Sequence, residues 1–370
     1  MQQEKIHFEN LNGLRFIGAL MVFLFHACTI NREVWGSFFD STPLLVIRKL
    51  TSIGHYGVNL FFVLSGFLIT YLLLKELKTK GRIHIGFFLT RRILRLWPLY
   101  FVVVLFGFFV FPNLPFGTQT VHEFWRYALF LSNFDEIIHG SHDSINFLTA
   151  TWSVSIEEQF YIGWALIIGL LKWKSIRSFQ WFFLFVILSS VVFRFLNTDN
   201  ISMLYYHSLS VISDMAIGGL LATWFFEKAT IPFIRDLKKW QIAGMYLAGI
   251  GFLFLAPKLL PGRLIALERI ISGTFFAFVL IEQLMSKNSF FKADRIPYFE
   301  RAGKLTYGFY LFHCIVIFYL CKIFEQFGMN QNAGWFLLFF ALLVGLNTLL
   351  SVVSYRYFEK PLLDLKKHFR

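Results

Sequence analysis

A chain of 370 residues that is 56% hydrophobic, holds 49 Phe and has a mean hydropathy of +0.60 reads as a polytopic membrane protein, which excludes a soluble multidomain enzyme. Its formal charge of +13 would point to nucleic acid in a soluble protein, but here Lys and Arg are topology signals and no nucleic-acid partner is expected. Three cysteines, Cys28, Cys314 and Cys321, stand in apolar stretches without metal-type spacing, so neither a disulfide framework nor a metal site is expected.

Apolar runs of about 20 residues lie at 11–30, 56–75, 96–112, 155–172, 178–197, 206–227, 240–257, 264–286, 304–322 and 334–356. The sequence thus predicts an all-α helical bundle with about ten crossings. With both termini cytoplasmic, the inner segments hold about three times as many Lys and Arg as the outer ones, the bias expected of inside loops. The whole of 1–370 reads as one transmembrane domain in the cytoplasmic membrane, with no appended soluble domain expected.

The first run carries Arg15 and His26, groups that hydrocarbon tolerates badly and that therefore default to function. Eleven steps of about 100° place both on one face, roughly 16 Å apart along the axis, with Arg15 near the cytoplasm and His26 near the outer leaflet. An imidazole there suits a base that deprotonates a hydroxyl. The competing reading is a snorkelling Arg15 and a His26 bonded to backbone. The second run, "GVNLFFVLSGFLIT", offers Gly57, Ser65 and Gly66 for close helix packing, with Ser65 also a candidate for substrate contact.

"TRRILRLWPLY" sets Arg91, Arg92 and Arg95 at the cytoplasmic mouth of the third run. Arg92 and Arg95 are neighbours on one helix face, and their planar forks match phosphate oxygens. A positive-inside anchor would look similar, but Arg15 at the same depth favours a polyphosphate site. The long outer loop 113–154 has Glu123, Asp135, Glu136 and Asp143 against Arg126, and its "FWRYALFLSNF" is too short to span, so an interfacial or re-entrant piece is expected.

"TWSVSIEEQFY", 151–161, opens the fourth run with Ser153, a candidate substrate contact, and with Ser155, Glu157 and Glu158. Entering from outside, its carboxylates are expected at the depth of His26, where Glu157 or Glu158, the latter favoured, would orient the imidazole. The alternative is a helix N-cap by Ser153 or Ser155. Asp214 and Asn347 are intramembrane polar residues whose partners the sequence does not name. "LTYGFYLFHCI" brings Tyr310 and His313 near mid-depth, as channel-lining substrate contacts or, for His313, as an internally bonded histidine. "SYRYFEKPLLDLKK" ends the last run, where Pro361 is expected to stop the helix and the lysines beyond it to meet anionic headgroups.

"GLRFIGALMVFLFHA", "GVNLFFVLSGFLIT", "RRILRLWPLY", "TWSVSIEEQFY", "LTYGFYLFH" and "YRYFEKPL", in this order, resemble the signatures of the membrane-bound acyltransferase family 3 across essentially the whole chain. The resemblance implies a ten-helix domain, an acyl-CoA donor, usually acetyl-CoA, arriving from the cytoplasm, and a hydroxyl acceptor on an extracytoplasmic glycan. It also implies that Arg15 and His26 are essential and the Arg92–Arg95 pair important. The sequence departs from the family where an Arg often precedes the acid near 214, here Val211 or Ile212. No soluble hydrolase-like domain like that of some relatives is expected, which would leave transfer to the membrane part or to a separate partner protein. The rival class is a secondary transporter or exporter of glycan or lipid-linked intermediates, which also lines a midplane cavity with charge but shows paired halves. The polar motifs here are not duplicated.

Overall fold

The computed structural model describes residues 8, 10–29, 32–117, 122–139, 147–170, 175–227 and 231–369, so Asp143 lies outside the described residues. Ten long helices form it: α1 Leu11–Thr29, α2 Gly57–Lys80, α3 Ile85–Leu105, α4 Thr151–Leu170, α5 Ile176–Leu196, α6 Ser208–Glu227, α7 Lys239–Leu259, α8 Glu268–Met285, α9 Phe299–Gln326 and α10 Ala333–Ser354. The described residues contain no strand. Nine helical segments among them are long and apolar enough to cross a bilayer. The tenth expected crossing is α4, a 20-residue helix made less apolar by Glu157 and Glu158.

Burial sorts the helices into centre and rim. The span containing α2 is 72% buried, whereas those of α5 and α7 are 22% and 17% buried and turn Trp181, Phe185, Leu188 and Leu247 outward, as lipid-facing helices do. The central contact is α2 on α6, where backbones meet with no side chain between them. A Cβ built on Gly66 would stand 2.0 Å from the Met215 carbonyl oxygen, and one on Gly218 2.1 Å from that of Val63. Gly57 abuts the Gly18 carbonyl in the same way, which seats α2 against α1.

Where α1 begins, the local sequence supplies no acid for its first turn, and a distant one does the capping. Asp294 accepts from the backbone N–H of Asn10 at 2.7 Å and of Gly13 at 2.6 Å. A lost cap costs about 1 kcal/mol and up to about 2. Asp294→Ala is therefore expected to lower the thermal midpoint of the detergent-solubilised protein by a few degrees, and an unchanged midpoint would show that the cap is dispensable.

Three boundaries differ from the sequence expectation. The third crossing starts at Ile85 rather than 96 and runs through Pro98, so its arginines sit two and three turns inside the helix instead of at its mouth. Pro361 does not stop the last crossing. A widened π turn over Tyr355–Glu359 precedes it, leaving Pro361 in the first turn of the next helix, Lys360–Asp364, where its missing N–H has no required partner. Finally, α4 begins at Thr151, which places Ser153 and Ser155 within the helix, so neither is its N-cap.

The interfacial segment of the long loop folds into two short helices, Phe124–Ala128 and Ser132–His139. Trp125, Leu129 and Ile138 point outward, while Ser132 and Asn133 are buried against the bundle. The Ser132 and Ser155 hydroxyls meet at 2.7 Å, and the Gln159 amide donates to the Phe130 carbonyl and to Asn133 Oδ1 at 2.7 and 2.8 Å. This layer covers the start of α4, which consequently lies sunk within the bundle.

Candidate active site

A cavity of about 390 Å³, within the size range of ligand pockets, opens between α1, α2, α3, α4, α9 and the segment after α10. Arg15, Arg92, Arg95, Lys304 and Lys366 face it, against two carboxylates, Glu157 and Glu359. Among the described residues, Arg15, Arg92 and Arg95 make no ion pair within 4 Å. Arg15 donates to Asn12 Oδ1 at 3.4 Å, and Arg92 lies over the rings of Phe88 and Tyr161. Three guanidiniums with spare donors around one cavity form a site for an oxyanion or polyphosphate. Of the four arginines the sequence grouped, Arg15, Arg91, Arg92 and Arg95, the structure brings three to this cavity. Arg91 stands apart from the cavity, spanning Glu76 at 3.4 Å and the Phe369 carbonyl at 2.7 Å. Lys366, read from sequence as a headgroup contact, lines the cavity instead, because the chain stays helical past Pro361.

The candidate substrate contacts Ser65, Ser153 and Tyr310 line the same space. Ser65 donates to Glu157 at 2.5 Å and receives the Tyr161 hydroxyl at 3.2 Å, and the Ser153 and Tyr310 hydroxyls meet at 2.7 Å. Glu158 accepts from the Trp97 indole at 2.8 Å.

The carboxylates are not where the imidazole is. Gly57 faces Gly18, and Ser65 lies eight residues farther along α2, about 12 Å toward the end where α1 begins, taking its partner Glu157 with it. His26 lies eight residues from Gly18 in the opposite direction. The expectation that Glu157 or Glu158 orients His26 is therefore corrected: the sunken start of α4 carries both acids toward the arginines.

His26 instead meets another histidine. Its Nδ1 lies 2.7 Å from His313 Nε2, and Cys314 Sγ stands 3.3 Å from the same Nε2. These three atoms cluster within 4.8 Å and are the type that bind zinc. However, nitrogens sharing tetrahedral zinc with bonds of about 2.0 Å stand roughly 3.3 Å apart, so 2.7 Å is a hydrogen-bond distance. Neither histidine lines the cavity. Tyr310, which does, lies one turn from His313 on α9 with ring centres 5.5 Å apart, so the cavity ends beside this pair. Spacing could not have paired residues 287 positions apart, although both were singled out individually.

The other intramembrane polar residues named from the sequence find partners within the bundle, although Asp214 Oδ1 and Asn347 Oδ1 meet none among the described residues. Asp214 pairs with Arg269, supplied by α8 rather than by the preceding turn of α6, and Asn347 donates to the Phe309 carbonyl at 3.1 Å. Arg194 reaches the Ala266 and Leu204 carbonyls, both at 2.9 Å. The Asp214 and Arg194 contacts tie α5, α6 and α8 together, and that of Asn347 joins α10 to α9.

Outside the crossings, two adjacent acids of the covering layer titrate oppositely. Burial would raise the Asp135 carboxyl, but bonds from His122 and Arg126 outweigh it and hold it below its ordinary value. Burial pushes Glu136, whose Oε1 has no partner among the described residues, up to about 7, against the pull of His122. Folded Glu136 thus keeps its proton where the unfolded chain has lost it. Its stabilising contribution is complete below the ordinary pKa of 4.5 and is lost as pH rises through about 7. Glu136→Gln should leave the thermal midpoint unchanged near pH 4.5 and raise it by a few degrees at pH 8, the equivalent of about 1–3 kcal/mol. The same increment at both pH values would contradict the assignment.

The family model described as "Acyltransferase domain" matches residues 8–356. O-acetyltransferase OatA of Staphylococcus aureus strain NCTC 8325 is 26% identical over 340 residues, covering 86% of this chain and 53% of that protein. A second protein, SACOL0978 of S. aureus strain COL, provisionally named an O-acetyltransferase, is 25% identical over 372 residues, covering 95% of this chain and 56% of its own. The chain spans about half the length of the curated relatives it matches. No solved structure matches it.

Proposed function

The chain belongs to the acyltransferase domain family, and from that premise we propose that it is an O-acetyltransferase of the cytoplasmic membrane that moves acetyl from cytoplasmic acetyl-CoA to a hydroxyl of an extracytoplasmic glycan. One observation carries the reading: a cavity ringed by Arg15, Arg92 and Arg95 ends one helical turn from the His26–His313 pair. In this reading the basic mouth of the cavity faces the cytoplasm, in keeping with the excess of Lys and Arg in the inner segments. The donor's phosphates sit among the guanidiniums, and the pantetheine arm extends past Ser65 and Glu157 toward Tyr310.

The acceptor approaches from the other side. His26 takes the proton of its hydroxyl as the oxygen attacks the thioester carbonyl. The C–O bond forms, the C–S bond breaks, and the departing CoA thiolate recovers the proton from the imidazolium. Partition of the two substrates to opposite faces explains why the base and the phosphate site need half a membrane between them. The name of the staphylococcal relative supports acetyl as the group transferred.

The test is vectorial. Inside-out membrane vesicles loaded with envelope glycan receive acetyl-labelled acetyl-CoA on their exposed cytoplasmic face. The expected result is label in the glycan, released by mild alkali as acetate. Glycan supplied outside empty vesicles that enters the lumen without acquiring ester would instead favour an exporter.

A further inference from the structure

The geometry points to His313 as the positioning residue that fixes the tautomer of His26, accepting its Nδ1–H and leaving Nε2 as the free lone pair. This rests on the reading of His26 as the base and adds what makes it one.

His26, His313 and the Tyr310 carbonyl form a chain. His313 Nδ1 faces the Tyr310 backbone carbonyl. A carbonyl oxygen only accepts, so Nδ1 of His313 carries a proton. A neutral imidazole has one N–H, which leaves His313 Nε2 as an acceptor. Two lone pairs do not stand 2.7 Å apart, so the hydrogen between the rings belongs to His26 Nδ1. It follows that His26 Nε2 is unprotonated, and among the described residues it meets no hydrogen-bond partner.

Ring orientation agrees. The two imidazole planes are 8° from parallel. Parallel rings in face contact are kept about 3.5 Å apart by van der Waals repulsion, so nitrogens at 2.7 Å require the rings to lie nearly edge to edge in one plane. That is the alignment of a linear N–H···N bond. The Cys314 sulfur, 3.3 Å from His313 Nε2 and 3.8 Å from His26 Nδ1, is the weaker competitor for the one lone pair.

The carbonyl at the end of this chain belongs to α9 itself, one turn before His313, so the proton pattern is set by helix geometry. A neutral histidine here does what a carboxylate does in a triad, orienting the base and choosing its tautomer. It also does so without placing a second charge within the membrane-spanning bundle, where ions are expensive.

The test combines spectroscopy with kinetics in lipid-reconstituted, full-length protein. In protein labelled with nitrogen-15 histidine, the signals lost in His26→Gln identify His26. Its Nδ1 should resonate as a protonated nitrogen and Nε2 as an unprotonated one, and the inverse pattern overturns the proposal. In acetyl transfer, His313→Ala should lower kcat by about 10² to 10⁴, the scale of a base held in the wrong tautomer, while KM for acetyl-CoA stays within about twofold. His313→Gln, whose amide oxygen can reach the place of Nε2, should recover at least about tenfold over His313→Ala.

Equal losses in the Ala and Gln variants overturn the role, as does full kcat in His313→Ala when His26→Ala is inactive. Should His26→Ala itself retain full turnover, the base assignment falls, and the nitrogen spectrum still decides the hydrogen bond. If His313→Ala fails to fold, the spectrum of the unmodified protein and the turnover of His313→Gln carry the decision.

Discussion

His26→Ala should abolish acetyl transfer, with turnover falling by about 10² to 10⁴, while the protein remains folded and retains acetyl-CoA affinity within a factor of about two. The two halves of this expectation come from separate parts of the structure. His26 is outside the cavity that holds the arginines, so its removal leaves the donor's phosphate contacts intact. It is also part-buried and makes its hydrogen bond to one neighbour, His313. Loss of that bond leaves His313 Nε2 with only the weak Cys314 thiol as partner, at a cost of about 1–3 kcal/mol at most, well within what a bundle tied by the Asp214–Arg269 pair and the Arg194 network can absorb. Equilibrium binding of acetyl-CoA and single-turnover transfer, measured on the same preparation, separate the effects. A variant that binds donor normally and transfers at the native rate would remove His26 from the chemistry. One that loses both activities in proportion would instead mark a folding defect.

The sequence made the helices legible because each apolar run is long and interrupted by basic loops, and it made Arg15, Arg92 and Arg95 legible because charge within such runs is costly enough to need a reason. Their convergence on one cavity follows from depth alone: three residues at the same level on neighbouring helices have few other places to point. What failed was the depth of α4. A hydropathy scan assigns a helix that enters from outside to the outer leaflet. Ser132 and Asn133 of the short covering helices, with the Phe130 carbonyl between those helices, bond Ser155 and Gln159, so the start of α4 is covered by protein and Glu157 lies with the arginines. The His26–His313 pair was hidden for a related reason. A helix-wheel argument works within one helix, whereas this contact depends on how α1 lies against α9, and that is set by packing, including Gly303 against the Asn12 backbone. Lys366 was misplaced because the chain stays helical through a π turn and past Pro361, and a π turn has no strong sequence signal.

Arg92→Ala and Arg95→Ala should each raise KM for acetyl-CoA by about ten- to a hundredfold, since a hydrogen bond to a charged group contributes about 1.5–3 kcal/mol. Acetyl-pantetheine, which lacks the phosphates, is the discriminating donor. If the guanidiniums hold phosphate, the variants and the parent protein use acetyl-pantetheine equally, and the penalty appears only with acetyl-CoA. If they instead shape the cavity or hold Glu157, both donors suffer alike. Arg91→Ala supplies the internal comparison. It lies one residue away on the same helix, but its side chain is committed to Glu76 and the Phe369 carbonyl, so KM should remain within about twofold. Salt adds an independent criterion: phosphate held by several cations is screened as ionic strength rises, so the parent's advantage for acetyl-CoA over acetyl-pantetheine should shrink, and the shrinkage should be smaller in each arginine variant. An advantage insensitive to both salt and substitution would place the donor's phosphates elsewhere, and with them the cytoplasmic entrance.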